Sequence, residues 1–201
     1  YEGMAIFIEE LNPQIELFSG YDAVPINRYN IAPTTKVQLL HTTENGLHID
    51  AVKWGWAPFW AKGKRPDPIN ARVETVTTGK FFKQLWPNGR AVVPSEGWYE
   101  WVKDPGDPKK KQPYFIRLKS QKPMFFGALA QVSLGLEPHE GDGFVIITAA
   151  SDQGMLDIHD RKPLVLTPEH AREWLEPSLA PERAEEIAKE CCQRIEDFEW
   201  Y

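Results

Sequence analysis

The sequence predicts a mixed α/β fold, a single domain in which a bent, mostly antiparallel, barrel-like sheet is flanked by helices. Three observations support this prediction. The chain has 201 residues, which is enough for one well-buried domain and too few for two of ordinary size. Short apolar runs with strand-like spacing recur between clusters of turn residues. No repeat, low-complexity tract or long linker divides the chain, so we assign residues 1–201 to one domain.

Apolar periodicity predicts the elements of the first half of the chain. Helical spacing over residues 4–11 predicts an N-terminal helix. Segments 37–43 and 47–57 flank the turn residues 44–46, which predicts a pair of strands. A short helix is expected over residues 75–86.

Five extended runs are predicted in the middle of the chain, separated by turn clusters such as DPGDPKKK and HEGDG. They are RAVVP (90–94), GWYEWV (97–102), PYFIRLK (113–119), MFFGALAQ (124–131) and FVIITAA (144–150). Two helices are predicted after them, over 168–175 and 181–192, because each segment has a proline near its first turn and early acidic residues.

The charge of the chain is unevenly distributed. The net charge of −6 argues against a protein that coats nucleic acid indiscriminately, yet residues 53–90 alone carry +6. That basic segment interleaves cations with the rings of Trp54, Trp56, Phe59, Trp60 and Trp86. Such a surface suits single-stranded nucleic acid, because bases stack on rings and cations neutralise phosphates. The alternative is that the tryptophans belong to the core and the lysines to a solvated rim.

Several common site types are missing from the sequence. The five histidines form no HExxH or other short-spaced ligand pair, and the adjacent Cys191 and Cys192 have no CxxC partner. The nucleotide-binding pattern GxxxxGK(S/T), the dinucleotide pattern GxGxxG after a strand and the esterase pattern GxSxG are also missing. We therefore expect no metal site and no cofactor.

Cysteine usage and hydropathy bear on the compartment. The only two cysteines are adjacent and cannot link distant parts of the chain, which fits a reducing, intracellular compartment. No apolar run approaches the roughly 18 residues needed to cross a bilayer. The N-terminus shows no basic segment leading into an apolar stretch. We expect a cytoplasmic protein with no membrane partner.

Two strand-like segments carry polar groups suited to a functional site. In PINARVET, alternation places Asn70 and Arg72 on one face, where an amide beside an arginine suited to a phosphate could hold a polar substrate. The alternative is that Asn70 caps a turn. In EGWYEW, Trp98 and Glu100 share a face, and a carboxyl group desolvated by indole acquires a raised pKa useful for acid and base catalysis. The alternative is that Glu100 points to solvent at a strand edge.

A third polar cluster follows the apolar run that ends at Ala150. His159 stands between Asp157 and Asp160, which can orient its ring and favour its charged form. Arg161 beside it can bind an anion. The alternative is a structural histidine. The three clusters together indicate a functional site but do not name a substrate.

Five ordered motifs resemble the hallmark segments of the SOS response-associated peptidase (SRAP) family. They are RYNIAP (28–33), WGWAPFW (54–60), INARVET (69–75), EGWYEW (96–101) and DIHDRKP (157–163). Each motif is weak alone, but together they cover nearly the whole chain in order. The resemblance implies a single α/β domain with a bent, barrel-like sheet that binds single-stranded DNA in a positive channel.

The resemblance also implies an activity, the capture of abasic sites. An N-terminal cysteine, exposed by removal of the initiator methionine, would react through its amine and thiol with the sugar aldehyde to give a thiazolidine DNA–protein crosslink. By the family pattern, Asn70 would position that amine and Glu100 would move protons. His159 would assist the sugar chemistry and its reversal, with Arg72 and Arg161 on phosphates.

The same resemblance implies the binding surface and the partner. The partner would be single-stranded DNA containing abasic sites, bound by a monomer in the bacterial cytoplasm, at the nucleoid when acting on DNA. The motifs WGWAPFW and RYNIAP would support the DNA-binding surface. Their contributing residues would be Trp54, Trp56, Trp60, Asn30 and Pro33.

The chain departs from the family pattern at both ends. Family members begin Met-Cys-Gly-Arg, whereas this chain begins Tyr-Glu-Gly and has no cysteine before Cys191. Relatives also continue past an aromatic segment similar to residues 198–201. We therefore expect a fragment that lacks a few N-terminal residues and a C-terminal segment, and that binds DNA without crosslinking it. Cys191 and Cys192 lie in an acidic helical segment and are poor substitutes for the missing thiol.

Two other functions stay open from the sequence. A thiol-dependent peptidase could use the same N-terminal cysteine with Glu100 and His159 to remove a short N-terminal extension, although no separate nucleophile for other substrates is visible. A non-catalytic single-strand-binding module would need only the basic, aromatic segment. Loss of activity with retained binding in Glu100→Gln favours an enzyme over a binding module.

Overall fold

Twelve strands and two α-helices make up the part of the chain that the computed structural model describes, residues 17–19, 28–107, 109–133, 139–151, 159–190 and 192–201. The strands are β1 (Leu17–Ser19), β2 (Lys36–Thr43), β3 (Gly46–Lys53), β4 (Asn70–Arg72), β5 (Arg90–Ser95), β6 (Trp98–Lys103), β7 (Lys111–Leu118), β8 (Met124–Gln131), β9 (Gly143–Ala150), β10 (Arg161–Pro163), β11 (Val165–Leu166) and β12 (Phe198–Trp200). The helices are α1 (Pro168–Leu175) and α2 (Pro181–Glu190), and short 3-10 turns span Phe59–Ala61 and Ile195–Asp197.

Nine of these strands form one large, strongly bent sheet. Its order is β1-β3-β2-β5-β8-β9-β10, with β11 added to β8 and β4 added to β9. The β1–β3 and β4–β9 pairs are parallel, and the other pairs of this sheet are antiparallel. The strand order runs from one edge to the other without closing. The mostly antiparallel α/β prediction is therefore confirmed, with an open, bent sheet in place of a closed barrel.

β8 and β9 separate part of the way along their length. β8 pairs with β9 over residues 128–131, whereas residues 125–126 pair with β11 instead. Leu164, between β10 and β11, bridges the two strands: its N–H donates to the carbonyl of Ile147 and its carbonyl accepts from the N–H of Gly127, both at 2.8 Å. A Cβ at Gly127 would lie 2.8 Å from a methyl carbon of Leu164, so glycine is needed at this approach. The insertion places β10 beside the end of β9.

Both faces of the large sheet are covered. Neighbouring residues along its strands fall into opposite apolar clusters, as strand alternation requires. Examples are Leu39 and Leu40, Val92 and Val93, and Val145 and Ile146. Helices α1 and α2 complete one cluster, which we call the helix-side cluster, and the three-stranded antiparallel sheet β12-β7-β6 completes the other. The result is three layers with the core divided by the large sheet.

Most of the predicted elements are confirmed. The strand pair corresponds to β2 and β3, the five extended runs to β5 through β9, and the first C-terminal helix has its predicted bounds. That helix begins where the hydroxyl of Thr167 accepts from the backbone N–H of His170 at 3.3 Å, with Pro168 in the first turn. The second helix spans Pro181–Glu190, so its predicted extension to residue 192 is wrong: Cys192 forms an isolated antiparallel β-bridge with Leu166. The helix predicted over 4–11 lies outside the described residues. Within the described part, no helix is long and apolar enough to span a membrane.

The prediction of a short helix over residues 75–86 is wrong. Successive turns occupy this segment: the N–H of Gly79 donates to the carbonyl of Thr75 at 2.7 Å, and that of Lys83 donates to Gly79 at 3.2 Å. The run TVTTG combines four β-branched residues with a glycine, and both kinds of residue disfavour helix. The turns instead bring Trp86 into the helix-side cluster.

Candidate functional site

Asn70 and Arg72 are exposed on β4, while Ala71 between them is buried. This is the alternation that PINARVET predicted. Because β4 runs parallel to β9, Arg72 lies opposite Thr148 in the register. Asn70 belongs to a strand, so the turn-capping alternative is wrong. Both polar side chains therefore stand on an accessible face beside the end of β9.

Arg161 is held near the end of β9 by Glu74. Its Nη1 donates to Oε1 of Glu74 at 2.6 Å and its Nη2 to Oε2 at 3.0 Å. Nη2 also donates to the backbone carbonyl of Thr148 at 2.5 Å and to its hydroxyl at 3.2 Å. The bonds from Arg161, helped by the charge of Arg72, lower the pKa of Glu74. We call these three residues, Arg72, Glu74 and Arg161, the arginine cluster.

Sequence reasoning missed Glu74 as a member of the site. Its partner Arg161 is 87 residues away in the chain, and no local pattern reports such a pair. One signal was available, because Glu74 follows Arg72 at the two-residue spacing of INARVET.

Glu100 lies half-buried on β6, on the same face as Trp98, and Tyr99 and Trp101 are exposed on the opposite face. Burial raises the pKa of Glu100, while the charge of His159 and the indole N–H of Trp98 act in the opposite direction. This agrees with the prediction drawn from EGWYEW. The solvent-pointing alternative is wrong, since the carboxyl group is substantially withdrawn from water.

His159 precedes β10 and lies close enough to Glu100 for its charge to act on that carboxyl group. Its Nδ1 is 3.0 Å from both the backbone N and the backbone O of Arg161, and 3.4 Å from Oδ1 of Asp160. An unprotonated Nδ1 accepts from the amide N–H, and a protonated one donates to the carbonyl. The ring is thus held in one position in either protonation state. Asp157, the other predicted neighbour, lies outside the described residues.

Replacing Glu100 with glutamine should stabilise the fold at neutral pH. A carboxyl group with a raised pKa binds more protons in the folded than in the unfolded state, so the free energy of unfolding falls as pH rises from the ordinary glutamate value through the raised one. Glutamine does not titrate. In urea unfolding, the gain of Glu100→Gln over the wild type should be larger at neutral pH than at about pH 3. A gain of equal size at both pH values would contradict the raised pKa.

The aromatic segment is divided between core and surface. Trp56 is 2% exposed and packs against Phe81, so its ring is not accessible to a nucleic-acid base. Trp54 is half-buried, and its indole N–H donates to a backbone carbonyl next to β4 at 3.0 Å. Trp60 is 55% exposed and Phe59 is 93% exposed. The alternative that these tryptophans belong to the core is therefore correct for Trp56. Phe59 is the most accessible ring of this group. It belongs to the basic segment but is not among the predicted site residues.

Asn30 and Pro33 lie on an exposed loop that precedes β2. This loop is fixed beside Trp54: the N–H of Thr34 donates to the carbonyl of Trp54 at 2.8 Å, and the N–H of Trp54 donates to the carbonyl of Thr35 at 2.9 Å. Asn30 adopts a left-handed φ of 49°, which asparagine tolerates better than most residues. RYNIAP and WGWAPFW are therefore neighbours in space.

The large sheet brings most of the predicted polar residues together. Asn70, Arg72 and Arg161 flank β9, and His159 links this edge to Glu100 on the three-stranded sheet. Among the described residues, no three His, Cys, Asp or Glu side chains cluster in a way that could hold a metal ion. Cys192 is half-buried against the helix-side cluster. The site can thus supply an amide, a proton donor, an imidazole and two guanidinium groups.

Comparison with known proteins gives relatives over nearly the whole chain. The family model for SOS response associated peptidase (SRAP) matches residues 8–201. The abasic site processing protein YedK of Escherichia coli strain K12 is 46% identical over 195 residues, 97% of this chain and 85% of that protein. The abasic site processing protein YoqW of Bacillus subtilis strain 168 is 34% identical over 181 residues, 87% of this chain and 80% of that protein.

A solved structure supports the same relationship. The crystal structure of a phage-related protein from Bordetella bronchiseptica matches with a TM-score of 0.79 at 36% identity, covering 97% of this chain and 87% of that one. The resemblance indicated by the five motifs is therefore confirmed in both sequence and fold. Because the family model matches all but the first few residues, this chain belongs to the SOS response-associated peptidase (SRAP) family.

Proposed function

We propose that this protein binds single-stranded DNA and captures abasic sites as a thiazolidine crosslink through an N-terminal cysteine, which is not one of the two cysteines in residues 1–201. YedK and YoqW are both named abasic site processing proteins. The observation that carries the proposal is the environment of Glu100. This carboxyl group is half-buried, its pKa is raised, and the charge of His159 acts on it. Such a group is suited to deliver protons in a condensation near neutral pH.

The proposed reaction needs two proton movements. The amine nitrogen attacks the sugar aldehyde carbon, and the resulting carbinolamine loses its hydroxyl group as water after Glu100 donates a proton. This leaves an iminium and a Glu100 carboxylate. The thiol sulfur then adds to the iminium carbon and the thiol proton returns to Glu100, which closes the five-membered ring and restores the acid. Burial keeps Glu100 protonated closer to neutral pH than an exposed glutamate, which favours the loss of water.

Asn70 and His159 would orient the reacting groups. The exposed amide of Asn70 offers an oxygen that can accept from the attacking amine. His159 has its Nδ1 engaged by the backbone of Arg161, which leaves Nε2 for the sugar. The same Nε2 can return a proton during reversal of the crosslink.

The DNA strand would be held by cations and rings around these groups. Arg72 and Arg161 would bind phosphates. Trp54 and Trp60, with the loop of Asn30 and Pro33, would form the surrounding surface. Trp56 would support that surface from the core, because its ring is buried.

Substituting Arg72 with alanine should weaken single-stranded DNA binding and reduce its salt dependence. Loss of one phosphate contact should lower the slope of log K against log salt by about 0.7. The measurement is fluorescence anisotropy with an undamaged oligonucleotide at several salt concentrations. Arg183→Ala is a matched control, because Arg183 pairs with Glu173 and Glu186 on the helical layer.

Two outcomes would contradict the proposal, one for the role of Arg72 and one for DNA binding as a whole. An unchanged slope for Arg72→Ala would remove Arg72 from the phosphate-binding set. Wild-type affinity that does not vary with salt would contradict electrostatic DNA binding altogether.

A further inference from the structure

The guanidinium of Arg161 is occupied by the carboxylate of Glu74. Two parallel bonds to Glu74, at 2.6 and 3.0 Å, use one hydrogen on each terminal nitrogen. This paired geometry is the one that arginine uses to bind two oxygens of a phosphate. Glu74 therefore occupies the edge of Arg161 on which a DNA phosphate would be bound.

The rest of Arg161 offers no equivalent edge. The second hydrogen of Nη2 is donated to the backbone carbonyl and hydroxyl of Thr148. The Nε atom is buried and has no hydrogen-bond partner among the described residues. The Arg161 side chain is 16% exposed, whereas Glu74 is 49% exposed. The carboxylate can consequently move into solvent more easily than the guanidinium can turn toward a second ligand.

We propose that Glu74 competes with DNA phosphate for Arg161 and so lowers the affinity for DNA; this inference rests on the proposed DNA-binding function. Each phosphate bound at Arg161 must first displace the Glu74 carboxylate. The arginine cluster carries a net charge of +1 with Glu74 and +2 without it. Competition lowers the affinity for any strand held by its backbone alone. The same cost applies to an abasic strand that uses Arg161, so Glu74 lowers both affinities by the same factor.

Substituting Glu74 with glutamine tests this competition. The variant should bind undamaged single-stranded DNA about five- to tenfold more tightly at low salt, because Arg161 no longer has to release a carboxylate before it binds a phosphate. The affinity ratio between an abasic and an undamaged strand should stay the same, because both strands displace the same carboxylate. Glu173→Gln is the matched control: it makes the same charge change in a paired bond to Arg183, at 2.6 and 2.9 Å, on the helices.

Two results would overturn the inference. Equal tightening by Glu74→Gln and Glu173→Gln would assign the effect to net charge alone. Weaker binding by Glu74→Gln would show that the carboxylate orients Arg161 for DNA instead of competing with it. Thermal unfolding of both variants checks that the two substitutions leave the fold intact.

A measurement without DNA separates this inference from the proposed function. The side-chain N–H resonances of Arg161, followed by NMR during titration with inorganic phosphate, should shift at lower phosphate concentration in Glu74→Gln than in the wild type. Identical titrations would overturn the competition. Wild-type protein that fails to bind DNA would contradict the proposed function, and the phosphate titration would still decide whether Glu74 blocks Arg161.

Discussion

Replacing Glu100 with glutamine is expected to slow the capture of an abasic site by about 10²- to 10⁴-fold, the range that a positioned general acid contributes. Glutamine has nearly the same shape as glutamate but cannot deliver the proton that releases water from the carbinolamine. Affinity for single-stranded DNA should be nearly unchanged, because Glu100 is half-buried and carries no attraction for phosphate. The measurement is the single-turnover rate on an oligonucleotide with one abasic site, using protein that carries an N-terminal cysteine.

Glu199→Gln provides the matched control for this experiment. Glu199 also lies in the three-stranded sheet, but it pairs with Arg117 at 2.7 Å. The single-turnover rate of capture by Glu199→Gln should equal that of the wild type. A normal rate for Glu100→Gln would remove Glu100 from the chemistry and favour a non-catalytic binding module. Loss of rate and affinity together would instead indicate a structural role for the carboxyl group.

Much of the fold can be predicted because strand alternation is a local property. The run MFFGALAQ corresponds to β8 without error, and FVIITAA gives all but the first residue of β9. The same alternation places Glu100 beside Trp98 and away from Tyr99, which leads to the raised pKa. In these segments the alternation of apolar and polar residues is enough to predict on which side of the sheet each side chain lies.

Pairings between distant segments could not be predicted in this way. The bond between Glu74 and Arg161 depends on β4 and β10 both pairing with β9, and no periodicity specifies that arrangement. The insertion of Leu164 between β8 and β9 is likewise a tertiary feature that no local pattern specifies. Trp56 and Trp60 lie in one aromatic motif and both contact Phe81, yet one is buried and the other exposed, a difference that the motif itself does not specify.

The second prediction with a large expected effect concerns the covalent adduct with DNA. The adduct is expected to form with one protein and to be absent with another. Protein with an N-terminal cysteine should form a DNA adduct that survives denaturation, whereas the chain starting at Tyr1 should form none. The reason is that the reaction requires an amine and a thiol on one residue, and the only cysteines of this chain are Cys191 and Cys192. Both proteins should bind the undamaged strand with equal affinity, since the arginine cluster and the exposed rings are common to them.

The most direct test is a denaturing gel of the two proteins, each incubated with a single-stranded oligonucleotide carrying one abasic site. Intact mass spectrometry first confirms that the N-terminal cysteine is free. The proposal predicts a slowly migrating DNA–protein species with the cysteine-bearing protein only, with the mass of the two components minus one water for an adduct to the aldehyde. No such species from protein with a confirmed free cysteine would contradict covalent capture.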